Sequence, residues 1–240
     1  MNNQPIIALD FPDRLSMSHF FTFFPKQEKL FVKVGMELFY KEGPQVVEQL
    51  IDQGHSVFLD LKLHDIPHTV YRAMRNLGKL GVSITNVHAS GGIEMMRAAK
   101  EGLLEGAQES GKKERPKLIA VTQLTSTSEE MMQKEQKIPL GLLECVLSYA
   151  QLTAKAGLDG VVCSALEAKD IHSQTHPDFI CLTPGIRLIE DNNGDQKRVV
   201  TPDQARALTA NYIVVGRPIT KAQQPYEKYQ QINQLWNGEK

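Results

Sequence analysis

The sequence is poor in the residues and patterns that mark several specialised classes of protein. It has only 3 cysteines in 240 residues. Cys145, Cys163 and Cys181 are far apart and show no Cys-x-x-Cys spacing, so neither a disulfide framework nor a zinc cluster is expected. We interpret them as core thiols in a reducing compartment.

Long apolar runs and an excess of one charge are also missing. No apolar stretch reaches the roughly 18 residues that a membrane span needs, and residues 1–4 lack the basic start of a signal peptide. The charges balance, with 27 Lys plus Arg against 28 Asp plus Glu. We therefore expect a cytoplasmic protein whose main partner is neither nucleic acid nor a membrane, although a local basic pocket for a small anion stays possible.

Short apolar runs alternate with amphipathic stretches along the whole chain. The runs predict strands at residues 6–10, 30–34, 56–63, 83–88, 118–124, 160–163, 179–183 and 212–215. Helices are predicted over residues 69–80, 93–107, 140–156, 166–174, 202–208 and 225–236, with one more between Gly43-Pro44 and Gly54. A Phe-rich run at residues 19–24 has similar preferences for helix and strand.

Repeated strand-helix units predict an α/β fold with a parallel sheet. About eight units in this length favour a single-domain (β/α)8 TIM barrel over residues 1–240. An open doubly wound sheet is the alternative, but no Gly-x-Gly-x-x-Gly follows the first strand and no Walker loop is present. The polar connection at residues 187–200 is either an idle surface loop or a mobile lid.

Charged residues interrupt strands that should be apolar if they were buried on both faces. The first predicted strand ends in Asp10, the second contains Lys33, and the third contains Asp60 and Lys62 on one face. Burying four such charges for structure alone is costly. Because barrel enzymes place their chemistry at the carboxyl ends of the strands, we predict a site of alternating Asp and Lys there.

A phosphate site is predicted independently at the ends of the last two strands. These strands run into Thr-Pro-Gly-Ile-Arg at residues 183–187 and into Gly216-Arg217. Gly216 allows close approach of the backbone to an anion, and Arg217 supplies the charge. A plain turn with a solvated Arg is the alternative, and Ser90-Gly91-Gly92 is a weaker candidate anion site.

Histidines provide a weaker signal. His64 and His68 stand four residues apart, but Pro67 between them argues against the helix that a metal-binding pair would need, so no metal is predicted. His88 closes the fourth strand without an assigned role.

Taken together, these motifs resemble one known family. The segment 60–67 reads Asp-Leu-Lys-Leu-His-Asp-Ile-Pro, an extended Asp-x-Lys-x-x-Asp motif similar to that of the orotidine 5'-phosphate decarboxylase family. Further matching segments lie at residues 8–10, 32–35, 86–89, 124–126, 183–187 and 214–217. The resemblance implies conversion of orotidine 5'-phosphate to UMP and carbon dioxide without a cofactor, the last step of pyrimidine nucleotide synthesis.

The resemblance also implies a role for each matching residue. Lys62 would protonate C6, Asp60 would face the substrate carboxylate, and Lys33 would belong to the charged array and, with Asp10, bind the ribose. In a homodimer, Asp65, Ile66 and Thr69 would reach the site of the other subunit. The remaining expected contacts are Thr125 with the pyrimidine ring and Arg187, Gln196, Gly216 and Arg217 with the phosphate, Gln196 closing from the lid.

Three other functions stay open at this point. A sugar-phosphate relative of the same barrel group shares the bare Asp-x-Lys-x-x-Asp spacing and would need a divalent metal. A Schiff-base aldolase would use Lys33 or Lys62 as a nucleophile, which flanking carboxylates disfavour. A non-catalytic phosphate-binding barrel would keep Gly216 and Arg217 but would not need Asp60 and Lys62 together.

Overall fold

A closed barrel of parallel strands forms the centre of the molecule. The computed structural model describes residues 4–111, 114–188 and 199–239. Eight strands pair in sequence order around the barrel, and β8 closes it against β1. They are β1 (Ile6–Ala8), β2 (Phe31–Gly35), β3 (Ser56–Leu63), β4 (Ile84–His88), β5 (Lys117–Val121), β6 (Gly160–Val162), β7 (Ile180–Thr183) and β8 (Tyr212–Val215). The predicted (β/α)8 TIM barrel is confirmed.

Helices surround this barrel. They are α1 (Arg14–Phe21), α2 (Met36–Glu42), α3 (Gln45–Asp52), α4 (Pro67–Leu80), α5 (Gly92–Glu109), α6 (Glu129–Lys134), α7 (Leu142–Lys155), α8 (Ala168–Gln174), α9 (Pro202–Ala207), α10 (Arg217–Thr220) and α11 (Pro225–Asn237). Local sequence explains several boundaries. The Asp13 carboxylate caps α1 by accepting from Ser16 N, and Pro67 starts α4, which Gly81 ends in a left-handed conformation.

Some boundaries differ from the predictions. β1 ends at Ala8, so Asp10 lies two residues beyond the strand rather than at its end, and β5 ends at Val121 rather than at residue 124. The run at residues 19–24 covers only the end of α1, because the Asp13 cap starts that helix earlier. Helices α2, α6 and α10 were not predicted, since each has seven residues or fewer and shows no extended apolar stripe.

Alternation along the strands separates two apolar regions. One cluster fills the barrel interior and includes Ile6, Phe58, Ile84 and Ile180. A larger cluster packs the outer face of the strands against the helices. By the same alternation, Lys33 follows Phe31 and Asp60 follows Phe58 on the inward face. The charged residues therefore continue the stack of interior side chains toward the carboxyl ends of the strands.

Helices α4 and α5 pack unusually closely. A Cβ atom on Gly106 would lie 1.9 Å from the carbonyl oxygen of Arg75, so only glycine permits this approach. Ion pairs of Arg75 with Glu105 and Glu109 join the exposed sides of the two helices. This packing fixes the position of α4, whose first turn follows the segment that carries Asp65 and Ile66.

The cysteines and the apolar content of the helices agree with the composition. The three cysteines are all free and buried, as predicted. Within the ranges that the structure describes, no helix has the length and apolar character needed to cross a membrane.

Candidate active site

The carboxyl ends of the strands bring the predicted charged residues to one mouth of the barrel. Asp10 follows β1, Lys33 belongs to β2, and Asp60 and Lys62 belong to β3. The three strands are consecutive neighbours in the sheet, with Ala8 paired to Lys33 and Gly35 paired to Asp60. Parallel pairing therefore places side chains from distant parts of the sequence side by side.

These four side chains form a continuous chain of opposite charges, which we call the charged array. Lys33 Nζ lies 2.9 Å from Asp10 Oδ1 and 3.5 Å from Asp60 Oδ2. The other oxygen of Asp60, Oδ1, lies 2.7 Å from Lys62 Nζ. Asp60 and Lys33 are largely buried, with 13% and 12% of their side-chain surface exposed, while 23% of Lys62 is exposed. The array thus presents an ammonium group to the open end of the barrel.

Burial and charge oppose each other in setting the pKa values of the array. Burial alone would lower the pKa of Lys33, but the carboxylates of Asp60 and Asp10 raise it above its usual value. Burial alone would raise the pKa of Asp60, but Lys33, Lys62 and hydrogen bonds from Lys62 and Asn86 lower it. Both groups are therefore ionised at neutral pH.

The backbone is irregular at the point where Lys62 enters the mouth. Leu59 pairs with Thr85 and Leu63 pairs with Val87, so four steps along β3 (59 to 63) oppose two along β4 (85 to 87). Lys62 has a left-handed φ of 53°. For a residue other than glycine this conformation costs roughly 1–2 kcal/mol. Bulges of this kind redirect side chains next to active sites, and this one aims Lys62 at Asp60.

Two cavities meet at the array. A cavity of about 240 Å³ is lined by Lys33, Asp60, Lys62, Thr125 and apolar side chains that include Val162 and Leu182. Its lining combines charged and polar groups with apolar side chains, as is usual for a small-molecule site. Thr125, for which a contact with a pyrimidine ring is predicted, is buried and lines this cavity.

The second cavity, of about 370 Å³, lies on the side of β7, β8 and β1. The predicted phosphate residues Arg187, Gly216 and Arg217 line it together with Asp10 and Lys33, and Lys221 adds a further cation. Lys33, Pro184 and Val214 line both cavities, so the two are adjacent. Ser90, Gly91 and Gly92, the weaker candidate anion site, are not among the described residues that line either one.

Backbone pairing holds the two ends of the long polar connection together beside this second cavity. Arg187 N donates to Val200 O, and Val200 N donates to Gly185 O, at 3.1 and 3.3 Å. The Arg187 guanidinium donates to the carbonyl of Ile186. Gln196 and the rest of the expected lid, at residues 189–198, lie outside the described residues.

Asp65, Ile66 and Thr69 do not join the array. They lie on the surface where the chain passes from β3 into α4, and Ile66 is 67% exposed. The Asp65 carboxylate accepts a hydrogen bond from Ile66 N. None of the ion pairs recorded for the described residues includes Asp65.

Two of the histidines near the mouth, His64 and His88, lie close together. Pro67 is the first residue of α4, and His64 precedes that helix, so His64 and His68 do not share a helical face. The ring of His64 instead lies 5.8 Å from that of His88. Burial, His64 and Lys62 lower the pKa of His88. Among the described residues, no group of three or more His, Cys, Asp or Glu side chains is placed to hold a metal ion.

A family model decides which group of barrels this chain resembles. The model described as "Orotidine 5'-phosphate decarboxylase / HUMPS family" matches residues 3–232. The chain belongs to this family. The predicted resemblance is therefore confirmed, and the family includes the sugar-phosphate relatives as well as the decarboxylases.

Individual relatives in the family are similar over nearly the whole chain. The orotidine 5'-phosphate decarboxylase of Enterococcus faecalis is 62% identical, with 99% of each chain covered. That of Lactococcus lactis subsp. cremoris is 59% identical, with 98% of each covered. The crystal structure of orotidine 5'-phosphate decarboxylase from Lactobacillus acidophilus has a TM-score of 0.88 at 42% identity, covering 98% of this chain and 99% of that one.

Two residues in the family motifs have contacts to which the sequence analysis assigned no role. A Cβ atom on Gly35 would lie 3.2 Å from Lys33 Nζ and 3.3 Å from Asp10 Oδ1, so glycine leaves room for that ion pair. Asn86 Nδ2 donates to Asp60 Oδ1 at 2.7 Å. Asn86, a polar residue in the middle of buried strand β4, was a visible signal, whereas nothing in the sequence pointed to the space at Gly35.

Proposed function

We propose that this chain decarboxylates orotidine 5'-phosphate to UMP and carbon dioxide, the last step of pyrimidine nucleotide synthesis. The observation that carries the proposal is the charged array, in which Asp60 is paired with Lys33 on one oxygen and with Lys62 on the other. The array lies next to a cavity suited to a planar ring and to a second cavity lined by arginines. The names of the relatives support the same reaction.

The chemistry follows from the position of Lys62. The bond from C6 to the carboxylate breaks, carbon dioxide leaves, and the electron pair stays on C6 as a vinylic carbanion with no adjacent carbonyl to delocalise it. The Lys62 ammonium stabilises this charge and then transfers a proton to C6, giving UMP. Neutral Lys62 regains a proton from water.

Asp60 acts on the reactant side of this step. Its carboxylate is held ionised by Lys33 and Lys62, because both ammonium groups lower its pKa against the effect of burial. A fixed negative charge near the substrate carboxylate raises the energy of the bound substrate, and this repulsion disappears when neutral carbon dioxide leaves. Thr125 contacts the pyrimidine ring, and Asp10 and Lys33 bind the ribose hydroxyls.

The phosphate side supplies binding energy away from the reacting carbon. Arg187 and Arg217 are charged donors suited to the phosphate oxygens, and Gly216 brings backbone close to them. Energy from this remote group is available to hold C6 against Lys62 and the substrate carboxylate against Asp60.

Loss of orotidylate absorbance, followed in the wild-type protein and in Lys62→Ala, tests the proposed reaction. We expect the substitution to lower kcat by about 10⁴-fold or more, since both the acid and the fixed positive charge are removed. Lys117→Ala is the matched control, because Lys117 starts β5 at the opposite end of the barrel and contacts Tyr212. No turnover by the wild type, or equal rates for wild type and Lys62→Ala, would contradict the proposal.

We further propose that the working form is a homodimer in which Asp65, Ile66 and Thr69 complete the site of the neighbouring subunit. The support is their exposure beside the mouth and the separation of Asp65 from the array of its own chain. The homodimeric interface would repeat the same surface around a two-fold axis.

Co-refolding of Lys62→Ala with Asp65→Ala tests this sharing. Each variant alone is expected to be severely impaired, but one site in every mixed dimer combines an intact Lys62 with an intact Asp65. Random exchange of equal amounts should therefore restore about a quarter of all sites. Lys62→Ala mixed with Asp60→Ala is the control that should restore none, since those residues contact each other within one chain. Recovery no greater than the sum of the separate variants would rule out a shared site.

A further inference from the structure

Asn86 lies beneath the charged array, on the inward face of β4. Its neighbour two residues earlier, Ile84, belongs to the apolar cluster of the barrel interior. The side chain of Asn86 has 0% exposure. A buried amide in this layer needs hydrogen-bond partners for both its oxygen and its nitrogen.

Both partners of the amide belong to the array. Asn86 Nδ2 donates to Asp60 Oδ1 at 2.7 Å, and Asn86 Oδ1 accepts from the backbone N–H of Lys62 at 2.8 Å. These contacts define the orientation of the amide, because exchanging its oxygen and nitrogen would oppose two acceptors at Asp60 and two donors at Lys62. The oxygen of Asp60 that accepts from Asn86 is also the one paired with the Lys62 ammonium.

We infer that Asn86 is a positioning residue for the decarboxylation, because its single amide fixes both the backbone of Lys62 and the carboxylate that pairs with the Lys62 ammonium. This inference rests on the proposed function. It assigns Asn86 no contact with the substrate, and Asn86 is not among the described residues that line the 240 Å³ cavity.

The irregular register of β3 explains why a side chain is needed here. The pairing of β3 with β4 shifts between Leu59 and Leu63, so Lys62 lies outside the regular ladder. Asn86 Oδ1 provides an acceptor for its N–H in place of a strand carbonyl. Lys62, whose backbone is left-handed, is thereby held at two points. Its N–H donates to Asn86, and its ammonium group pairs with Asp60.

Asn86→Leu tests the role, since leucine is close in size and makes neither hydrogen bond. The matched control is Thr85→Val. Thr85 precedes Asn86 on β4 and is equally buried, and its hydroxyl donates to the Leu59 carbonyl of β3 rather than to a side chain of the array. We expect Asn86→Leu to lower kcat by about 100-fold or more with less than about a threefold change in KM. Thr85→Val should stay within about twofold of wild type. Equal kcat values for the two variants would overturn the inference.

Asn86→Asp separates the two hydrogen bonds. The introduced carboxyl group keeps an oxygen that accepts from Lys62 N–H, but its other oxygen now faces the carboxylate of Asp60. The other titratable groups nearby are Lys33, Lys62, His64 and His88. When protonated it donates to Asp60 as the amide does, and when ionised it repels Asp60. We expect kcat of this variant to fall at least about tenfold from about pH 5 to about pH 9. A profile parallel to that of the wild type would overturn the inference.

These experiments distinguish a failure of the proposed function from a failure of the role of Asn86. Absence of turnover by the wild type would defeat the proposed function, whereas wild-type turnover with an unimpaired Asn86→Leu would defeat only the role of Asn86. If neither variant folds, nitrogen-15 spectra of the wild-type protein decide. The side-chain NH2 group of Asn86 should exchange its protons slowly with D2O, and its resonance should shift in Asp60→Ala. Fast exchange, or an unchanged signal, would overturn the inference.

Discussion

Strands β1–β3 and strands β7–β8 line neighbouring parts of the same barrel mouth, and they hold charge in different ways. On the first side, side chains bind one another, as Asp10, Lys33, Asp60 and Lys62 do within 3.5 Å. On the second side, Arg187 donates to the backbone carbonyl of Ile186, and a cavity of about 370 Å³ opens beside it.

The difference corresponds to two tasks. Groups that act on a reacting atom must already be in place, because reorganisation during the reaction would raise the barrier. Groups that bind a remote phosphate need charge and space, and their binding energy is used elsewhere in the substrate. We therefore predict that substitutions in the charged array change kcat. Substitutions on the side of Arg187 and Arg217 should instead change how strongly the rate depends on the substrate's phosphate group.

Arg217→Ala is expected to give the largest separation between the two sides. Losing a charged phosphate contact should lower kcat/KM for orotidine 5'-phosphate by about 10²- to 10³-fold. Decarboxylation of orotidine, which lacks the phosphate, should change less than about threefold. Steady-state rates on both substrates provide the measurement, with Arg97→Ala, on the exposed surface of α5, as the control. Equal losses on the two substrates would place Arg217 in the chemistry instead.

Gly35→Ala probes the array side with a smaller change. The added methyl carbon would lie 3.2 Å from Lys33 Nζ, which must move by a few tenths of an ångström. We expect kcat to fall about 3- to 30-fold, because small displacements at a preorganised site are costly. Gly141→Ala is the control, since Gly141 also caps a helix and a methyl there would meet only Glu129 at 3.6 Å. Identical rates for the two variants would show that the space at Gly35 does not matter.

The smallest expected effect is that of pH. The pKa of Asp60 is lowered, so its ion pairs stabilise the fold above its unfolded value of about 3.9 and are lost as pH falls through the folded value. The pKa of Lys33 is raised, so its contribution is present below about 10.4 and is lost as pH rises through the folded value. At saturating substrate, kcat should change less than about threefold from about pH 6 to about pH 9. A bell-shaped profile centred in that window would contradict the expectation that Asp60 and Lys33 both stay ionised across it.

Sequence patterns were sufficient for the parts of this site that depend on strand order. Alternation placed Asp60 and Lys62 on one face, and their ammonium and carboxylate groups do meet at 2.7 Å. The regular strand assumed in that prediction is not present, however, because the register shifts after Leu59 and Lys62 turns left-handed. The side chains meet through a bulge whose position depends on a contact with Asn86 across the sheet.

Other features depended on tertiary geometry that periodicity does not encode. The space at Gly35 exists because Asp10 and Lys33 approach it from two strands. The start of α1 depended on a single cap at Asp13, whereas the Phe-rich run that attracted notice lies at its end. Long amphipathic helices such as α5 and α11 were predicted to within two residues at each end, since their apolar stripes carry the signal.

The barrel closes where β8 pairs with β1, a junction that we call the seam, and this pairing joins segments that are synthesised at very different times. The members of the charged array lie at positions 10 to 62 of the sequence, so they leave the ribosome well before Gly216 and Arg217 do. A methyl carbon on Gly216 would lie 3.8 Å from Asp10 Oδ2, so segments far apart in the sequence become neighbours across this seam. Contacts of such long sequence separation form late in folding. A nascent chain therefore carries the charged array long before its barrel closes, and docking of β8 against β1 is the step that brings Gly216 and Arg217 beside that array.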